Sequence, residues 1–349
     1  MMKKQLLATL FSTGIILSAS AETWRFASEE AKKYVQDIYA QKFADVIKQE
    51  SNGDINVKIY YYGQLGTEND IIELTANGTI QFVSVGTNHL GSYIPEVQAI
   101  SLPYVLSTNN DVLSNILRNS RTIHSDLSSK FKKKNLRLLS MFSEGKIAWV
   151  ANKAIRSPAD FHGQKIRTFT SAISVETYKS FGATPTPLSW GEVYGALQLK
   201  TVDSAMNPPY FIYAAKWHEV QDYLIFPQQQ SYIATVSTNN KWFNKLSAHK
   251  QSIVTKASAA AETAAQKYQL KINRESMDKI RQKRPNLKVI RLNETERKSF
   301  KAASISLHEM YYDIVANAYG RTEKRQARKD AKTILQSLLK EVKEIEGTL

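Results

Sequence analysis

Strand-like and helix-like segments alternate along the first part of this 349-residue chain, and the alternation limits the folds that the chain can adopt. Short apolar or alternating stretches at 24–27, 55–61 and 80–85 are typical of strands, whereas 29–50 and 68–76 carry apolar residues at helical spacing. Turns rich in Asn and Gly separate these segments. A succession of this kind favours an α/β lobe with a largely parallel sheet.

The rest of the chain predicts a second lobe. The length suffices for two hydrophobic cores, and with no cysteine the protein must depend on those cores without disulfide bonds. We expect a first lobe of 22–146 plus 236–275, and a second of 147–235 plus 276–349 that includes the C-terminal helices. A predicted helix over 247–284 would extend about 55 Å, so we expect it to brace both lobes.

The N-terminal segment 1–21 has the pattern of a secretory signal peptide. Lys3 and Lys4 precede a mostly apolar stretch at 6–17, and the Ala-Ser-Ala triplet at 19–21 matches a cleavage site. We therefore expect cleavage after Ala21 and export to the periplasm. A lipid anchor is not expected because no cysteine follows the apolar stretch, and no later segment has 18 consecutive apolar residues, which predicts a soluble mature protein.

The chain is basic, with a formal net charge of +15. Removal of the leader with its two lysines leaves +13, from 45 basic and 32 acidic residues. The basic residues are nevertheless dispersed, and their denser stretches at 130–134, 281–284 and 321–332 read as solvated helix faces. No nucleic-acid-binding motif is apparent, so we expect no nucleic-acid partner and only a mild attraction of anions.

The segment 165–209 carries the candidate binding residues. Arg167 ends a predicted strand, where ligands of α/β sheets collect, and its guanidinium could pair with a carboxylate through two parallel hydrogen bonds. A surface ion pair is the simpler interpretation. Trp190 follows a Pro-rich turn and could line a cleft or belong to the core, and Asn207 before two prolines could bind a ligand or only form a turn. Glu68 begins a helix, where a carboxylate could interact with the helix dipole or accept a hydrogen bond from a ligand.

Signatures of catalysis are missing from the sequence. The six histidines are scattered without the i, i+4 spacing of a zinc site, and there is no nucleophile elbow, P-loop or dinucleotide fingerprint. We therefore expect a protein that is not an enzyme and that needs no cofactor. An exported α/β hydrolase and an adhesion or scaffold protein remain the alternatives. Catalytic turnover would identify the first, and an absence of ligand-linked stabilisation the second.

Several stretches at fixed spacing resemble the extracytoplasmic solute-binding proteins of tripartite ATP-independent periplasmic (TRAP) transporters, of the dicarboxylate-binding type. The resemblance extends from about 24 to 319, and its strongest part is the run from Gly182 to Pro208. Other matching stretches are 63–68, 101–104 and 158–167. The resemblance implies a two-lobed periplasmic-binding-protein-like α/β fold, a hinged cleft between the lobes and a long helix that spans both.

The resemblance also implies roles for the candidate residues. Arg167 would form a salt bridge with the substrate carboxylate, Asn207 would bind the same carboxylate, Trp190 would pack on the ligand, and Glu68 would be an acid of the first lobe. A second arginine of some members falls on Ile147, which argues against a ligand that needs two guanidinium groups. The predicted substrate-binding set is completed by Trp149, which suggests a more apolar pocket, and by Tyr210.

The function implied is that of a periplasmic receptor without a cofactor or metal. It would capture a small organic acid in the cleft between its lobes and deliver the acid to the membrane permease of a TRAP transporter. We expect it to act as a monomer, although dimerisation through the C-terminal helix stays open. Keto or hydroxy acids, sugar acids, dicarboxylates, aromatic acids and zwitterions are all compatible with the sequence.

Overall fold

The computed structural model describes residues 21–348, so the predicted leader lies outside the described residues except for Ala21. Its eleven strands form two separate sheets, as expected for a two-lobed protein. The strands are β1 (Glu22–Ser28), β2 (Ile55–Tyr60), β3 (Phe82–Gly86), β4 (Leu136–Lys146), β5 (Ala148–Ala151), β6 (Lys165–Thr168), β7 (Thr184–Pro187), β8 (Ser204–Asn207), β9 (Tyr223–Phe226), β10 (Ser231–Asn239) and β11 (Lys288–Arg291).

Thirteen α-helices of the described chain surround the two sheets. They are α1 (Val35–Glu50), α2 (Glu68–Ala76), α3 (Thr87–Leu90), α4 (Asn110–Asn119), α5 (Ser128–Lys133), α6 (Ala172–Ser180), α7 (Val193–Gln198), α8 (Pro209–Ala214), α9 (Asn240–Lys245), α10 (Ala248–Lys283), α11 (Glu294–Ala303), α12 (Leu307–Asn317) and α13 (Lys324–Thr348). Short 3-10 helices occur at Pro95–Ser101, Pro158–Phe161, Trp190–Glu192 and Trp217–Glu219, and a π-helix at Thr122–Leu127.

One strand in each sheet runs against the others. The first sheet has the order β2-β1-β3-β10-β4, with β10 antiparallel to both of its neighbours. The second has the order β11-β9-β5-β8-β6-β7, with β5 antiparallel to both of its neighbours. In both cases the chain reaches the antiparallel strand directly from the other sheet, passing from β4 to β5 and from β9 to β10. In both sheets the remaining strands therefore share one direction, which gathers their carboxyl ends at a single edge.

The two crossings between the sheets lie side by side. The amide of Ile147, between β4 and β5, donates to the carbonyl of Gln230 just before β10, at 3.1 Å. The first crossing thus lies at residue 147. The second lies before Ser231, because the whole of β10 pairs in the first sheet, and the expected boundary at 235 therefore falls inside a strand.

The long helix α10 packs on both lobes. Ala257, Ala261 and Ala265 are buried in the core under the first sheet, whereas Met277 and Ile280 are buried in a core of the second. The Ser247 hydroxyl accepts a hydrogen bond from the amide of Lys250 and so marks the N-terminus, as expected of a serine N-cap. The predicted brace across both lobes is confirmed.

The C-terminal helices divide between the lobes, whereas we expected them all in the second. Phe300 of α11 lies in the core of the second lobe. In contrast, α13 packs against α4 and the segment 95–127 of the first lobe, and α12 packs both against this segment and against α6 of the second lobe. The physical reason is that the sheet of the first lobe leaves part of the apolar surface of α4 and the segment 95–127 uncovered, and the C-terminal helices cover it. The apolar residues that α12 and α13 bury include Leu307, Tyr311, Val315, Ile334, Leu335, Leu338 and Val342.

Candidate ligand-binding site

A cavity lies between the lobes, where the carboxyl ends of strands from both sheets meet. Glu29 and Glu30 follow β1 directly, His89 follows β3, Arg167 lies on β6, and Asn207 ends β8. Ligands of open α/β sheets bind at such strand ends because loops and helix N-termini leave polar groups there. The lining residues are Glu29, Glu30, Ala31, Tyr34, Tyr62, Glu68, His89, Arg167, Phe169, Trp190, Asn207, Phe211 and Tyr232.

Arg167 is the buried cation of this cavity, with only 1% of its surface exposed. Its Nε donates to the carbonyl of Leu188 at 3.0 Å, and its guanidinium carbon lies 5.0 Å from the ring centre of Phe169. The Nη1 atom has no hydrogen-bond partner among the described residues, and no acid forms an ion pair with this arginine there. Burial lowers the pKa of Arg167 to about 10, so the group stays charged at neutral pH.

Asn207 and Trp190 flank the arginine. Asn207 is 2% exposed at the end of β8, and its Oδ1 atom has no partner within the described chain. The indole Nε1 of Trp190 likewise lacks a described partner. The Trp190 ring meets the edge of Tyr62, which follows β2 in the first lobe, with ring centres 6.1 Å apart. The second lobe therefore presents an unpaired donor, Trp190 Nε1, and an unpaired acceptor, Asn207 Oδ1, next to a cation. An aromatic contact between the lobes closes the cavity over them.

Glu29 is an acid on the opposite wall, and it was not among the site residues predicted from the sequence. Its Oε1 accepts hydrogen bonds from the Gly86 amide and the Tyr232 hydroxyl, both at 2.7 Å, and from Gln36 at 3.0 Å. Its buried Oε2 has no partner in the described part of the chain. Burial raises the pKa of Glu29. An acidic pair immediately after a predicted strand was the available signal, but we assigned 29–50 to a helix that begins only at Val35.

Glu68 lies in the same cavity, at the first position of α2. The helix begins there because Thr67 is its N-cap, with the Thr67 hydroxyl accepting from the amide of Asp70 and the Asp70 carboxylate accepting from the amide of Thr67. The carboxylate of Glu68 is close enough to raise the pKa of Glu29 and to act favourably on Arg167. The structure thus brings together four predicted site residues: Arg167, Asn207, Trp190 and Glu68.

Trp149 does not line the cavity. It lies fully buried on β5, in the core of the second lobe, where its indole nitrogen donates to the Tyr178 hydroxyl at 2.9 Å. Successive side chains of a strand point to opposite faces of the sheet, and Trp149 occupies the face away from the cleft. This indole packs against Phe161 and Phe300 and does not make the pocket more apolar.

Tyr210 also lies outside the cavity lining, directly behind it. Its hydroxyl oxygen is 2.6 Å from Glu30 Oε1 and 2.7 Å from Glu144 Oε2. Burial and the two carboxylates raise the pKa of Tyr210 well above its usual value, so the phenol stays protonated. Tyr210 therefore contacts acids of the first lobe, and its neighbour Phe211 lines the cavity in its place.

Aromatic side chains form most of the remaining wall. His89 meets Phe169 across the cleft with ring centres 5.9 Å apart, and Phe211 lies 5.8 Å from both Tyr34 and Tyr232. Rings cover the apolar surface of a ligand and attract cations to their faces. The cavity thus combines opposite charges with an aromatic enclosure, which suits capture of a small polar molecule.

Residues 26–313 match the model of DctP, the bacterial extracellular solute-binding protein family 7. The chain belongs to this family. The solute-binding proteins of this family work with membrane transporters and are not enzymes, which confirms two of our expectations. Across the described residues 21–348, no helix is both long and apolar enough to cross a membrane.

Curated relatives and solved structures agree with this assignment. The chain is 36% identical to the ectoine/5-hydroxyectoine-binding periplasmic protein UehA of Ruegeria pomeroyi, over 86% of this chain and 88% of the relative. It is 35% identical to the ectoine-binding periplasmic protein TeaA of Halomonas elongata, over 90% and 93%. The structure of the ectoine-binding protein of the TeaABC TRAP transporter superposes with a TM-score of 0.82 at 33% identity, covering 90% of this chain and 99% of that one. This solute-binding protein is thus of the TRAP type, with the expected two-lobed fold.

Proposed function

We propose that this TRAP solute-binding protein captures a compact zwitterion, a small ring or chain that carries one carboxylate and one cationic nitrogen. The observation that carries the proposal is the pair of opposite charges in one cavity. Arg167 keeps Nη1 free on the second lobe, and Glu29 keeps Oε2 free on the first, with no described partner for either atom. A ligand with both charges would satisfy both groups, whereas a simple acid would leave Glu29 buried and unpaired.

The carboxylate would bind on the second lobe. Arg167 presents the Nη side of its guanidinium because the Leu188 carbonyl holds Nε, and a guanidinium fork matches the geometry of a carboxylate. The Trp190 indole N–H lies in the same wall as a further donor, and the Asn207 side chain can donate through Nδ2. This arrangement supports the carboxylate-binding roles expected of Arg167 and Asn207, and the packing role of Trp190.

The cationic nitrogen would bind on the first lobe. Glu29 is held rigidly by three hydrogen bonds to its other oxygen, so Oε2 is directed without further ordering of the side chain. Glu68 adds a second negative charge nearby, and the rings of Tyr34, Phe211 and Tyr232 can stabilise a delocalised cation through cation–π contacts.

Ectoine, a cyclic amidinium carboxylate, has this chemistry, and two relatives at 36% and 35% identity are named as ectoine-binding proteins. We therefore propose ectoine or a close analogue as the ligand. We also propose that the chain is exported to the periplasm after cleavage behind Ala21, acts as a monomer without a nucleic-acid partner, and passes its ligand to its TRAP permease. Mass determination of the exported protein checks the cleavage site.

The test is calorimetric titration of refolded protein with three probes: ectoine, its carboxamide, and cyclohexanecarboxylate, which has the acid but no cation. We expect binding of ectoine alone. Glu29→Gln keeps the shape of the side chain and removes its charge, so the affinity for ectoine should fall at least tenfold. Glu22→Gln, an exposed acid paired with Lys250, is the matched control and should bind normally. Equal binding of ectoine and cyclohexanecarboxylate, or an unchanged Glu29→Gln variant, would overturn the zwitterion proposal.

A further inference from the structure

Behind the ligand cavity, one hydroxyl oxygen lies within hydrogen-bond distance of two carboxyl oxygens, and a single hydrogen atom cannot serve both contacts. The Tyr210 hydroxyl oxygen lies 2.6 Å from Glu30 Oε1 and 2.7 Å from Glu144 Oε2. A phenol has a single hydrogen to donate, so it can satisfy one of these two contacts. The other contact would be repulsive between two lone pairs unless that carboxyl carried a proton and donated it to the Tyr210 oxygen.

The outer oxygens of both carboxyls are already engaged as acceptors. Glu30 Oε2 accepts from the backbone amide of Gln36 at 2.7 Å, and Glu144 Oε1 accepts from the side-chain amide of Gln36 at 2.9 Å. Neither carboxyl can therefore turn its proton outward without losing a hydrogen bond. Both side chains are buried, and burial together with neighbouring carboxylates raises the pKa of each. The cluster is consistent with one proton shared by two glutamates.

This cluster connects the two lobes at the crossing between the sheets. Tyr210 is buried in the core of the first lobe, whereas Ile212, two residues later, is buried in the second. The side chain of Asn273, on the long helix, donates to the Glu144 carbonyl at 2.7 Å and accepts from the Tyr210 amide at 3.4 Å. Glu144 precedes the crossing residue Ile147 by three positions. The hydroxyl contacts thus attach the segment that carries Asn207 to the carboxylates beside the cavity.

We propose that Glu30 and Glu144 share one carboxyl proton, in addition to the hydrogen of the Tyr210 hydroxyl that bridges them. This carboxyl proton stabilises the closed arrangement of the lobes, so that ligand affinity falls once the pH is high enough to remove it. The proposal rests on the proposed function in one respect, namely that ligand binding closes the lobes. Closure excludes water from the carboxyls and therefore favours their protonated form. Loss of the proton would leave two facing carboxylates around one hydroxyl, and opening would relieve their repulsion.

Other titratable groups surround the cluster and could also make ligand affinity depend on pH. The adjoining loop, helices and strands contribute Glu29, Tyr34, Glu68, His89, Lys146, Tyr232 and Tyr268. The tyrosines have raised pKa values and stay neutral through the relevant range. Glu29 also has a raised pKa and lies in the cavity itself, so a pH effect in the wild type alone would not identify the cluster. A substitution inside the cluster is therefore required.

Glu144→Gln imitates the protonated carboxyl. Its amide nitrogen can donate to the Tyr210 oxygen, while its carbonyl can still accept from Gln36. Calorimetric titrations with ectoine between pH 6 and 9 should show the wild-type affinity falling, by no more than tenfold per pH unit for one linked proton. The Glu144→Gln profile should be flat and should match the wild type within threefold at pH 6. Glu262→Gln, a buried acid with a raised pKa on α10, is the control and should follow the wild type. Parallel wild-type and Glu144→Gln profiles would overturn the proposal.

A ligand-free measurement separates failure of this proposal from failure of the proposed function. The infrared difference spectrum between wild type and Glu144→Gln at pH 7 should show loss of a protonated carboxyl band. Tyr210→Phe removes the shared hydroxyl and should shift or remove the same band. Loss of an ionised carboxylate band only would show that the cluster holds no proton and would refute the inference. If ectoine does not bind, the ligand assignment fails, and this spectrum alone decides on the shared proton.

Discussion

Replacement of Arg167 by methionine should abolish most binding without destabilising the ligand-free protein. Methionine retains most of the buried aliphatic volume and removes only the charge and the donors. A ligand carboxylate loses its charge-assisted hydrogen bonds, and truncation of one partner of a buried charge pair costs about 2–5 kcal/mol. At about 1.4 kcal/mol per tenfold change, Kd should rise roughly 30- to 4,000-fold.

The effect on stability is worked from burial. Burial lowers the pKa of Arg167 from its usual value to about 10. At about 1.4 kcal/mol per pH unit, this disfavours the charged form in the closed protein by roughly 3 kcal/mol. The variant removes this cost and loses the hydrogen bond to the Leu188 carbonyl, worth about 1 kcal/mol. Where the ligand-free protein opens, water hydrates the arginine, so the stability gained by the variant is smaller. Arg167→Met should therefore unfold in urea at a midpoint no lower than that of the wild type.

Calorimetric titration with ectoine and urea unfolding of refolded protein measure the two effects. Arg137→Met is the matched control. Like Arg167, Arg137 stacks on an aromatic ring and donates a hydrogen bond from Nε, here to a side-chain acceptor, but it lies outside the cavity. It should leave the affinity unchanged. An Arg167→Met variant that binds ectoine within threefold of the wild type would refute the carboxylate role. A fall of more than about 1 kcal/mol in the free energy of unfolding of the ligand-free variant would refute the argument that burial of the charged arginine destabilises the closed protein.

Two further substitutions test the carboxylate wall and the crossing between the lobes. Asn207→Ala should weaken ectoine binding roughly 10- to 100-fold in calorimetry, because one hydrogen bond to a charged group contributes about 1.5–3 kcal/mol, and an unchanged Kd would contradict a ligand contact. Gly145→Ala should lower the free energy of unfolding in urea by about 1–3 kcal/mol, since Gly145 has φ +129° and a Cβ there would lie 2.5 Å from Asn273 Nδ2. Wild-type stability of Gly145→Ala would show that the crossing adjusts freely.

The elements with strong local signals were predictable from the sequence. The helix expected over 68–76 is Glu68–Ala76, and the helix expected over 247–284 is Ala248–Lys283. Both begin after a serine or threonine cap, and the second is rich in alanine, so local propensity and capping determine their bounds. Residues 165–168 likewise form the predicted strand that carries Arg167.

Three short strands of the second sheet, β7, β8 and β9, were missed because tertiary pairing determines them. Thr184–Pro187 contains two prolines and reads as a turn, yet it pairs with β6 as the edge strand of the sheet, where a residue without an N–H is tolerated. Ser204–Asn207 and Tyr223–Phe226 are four residues each, too short for a periodic pattern.

The candidate site was predictable mainly on its second-lobe wall, because Glu68 was the single residue of the first-lobe lining that the sequence predicted. Arg167, Trp190 and Asn207 lie in a segment with a recognisable motif, so the second lobe could be assigned from its residues. Glu29 follows a short strand and has no local signature, and its role depends on hydrogen bonds from Gly86 and Tyr232, which are distant in the sequence. Charge complementarity between lobes arises only when the two sheets face each other, and no window of the sequence contains it.

The unpaired groups of the cavity explain why closure should depend on the ligand. In the closed arrangement Arg167 Nη1, Glu29 Oε2, Trp190 Nε1 and Asn207 Oδ1 are buried, and none has a partner in the described chain. Each buried unsatisfied group costs about 1–3 kcal/mol, so together they disfavour closure unless a ligand meets them. Opening exposes the same groups to water and removes the cost. On the proposed function, a zwitterion satisfies both charges and makes closure favourable, whereas its carboxamide or a simple acid leaves one charge buried and unpaired. Selectivity would then arise in the closing step.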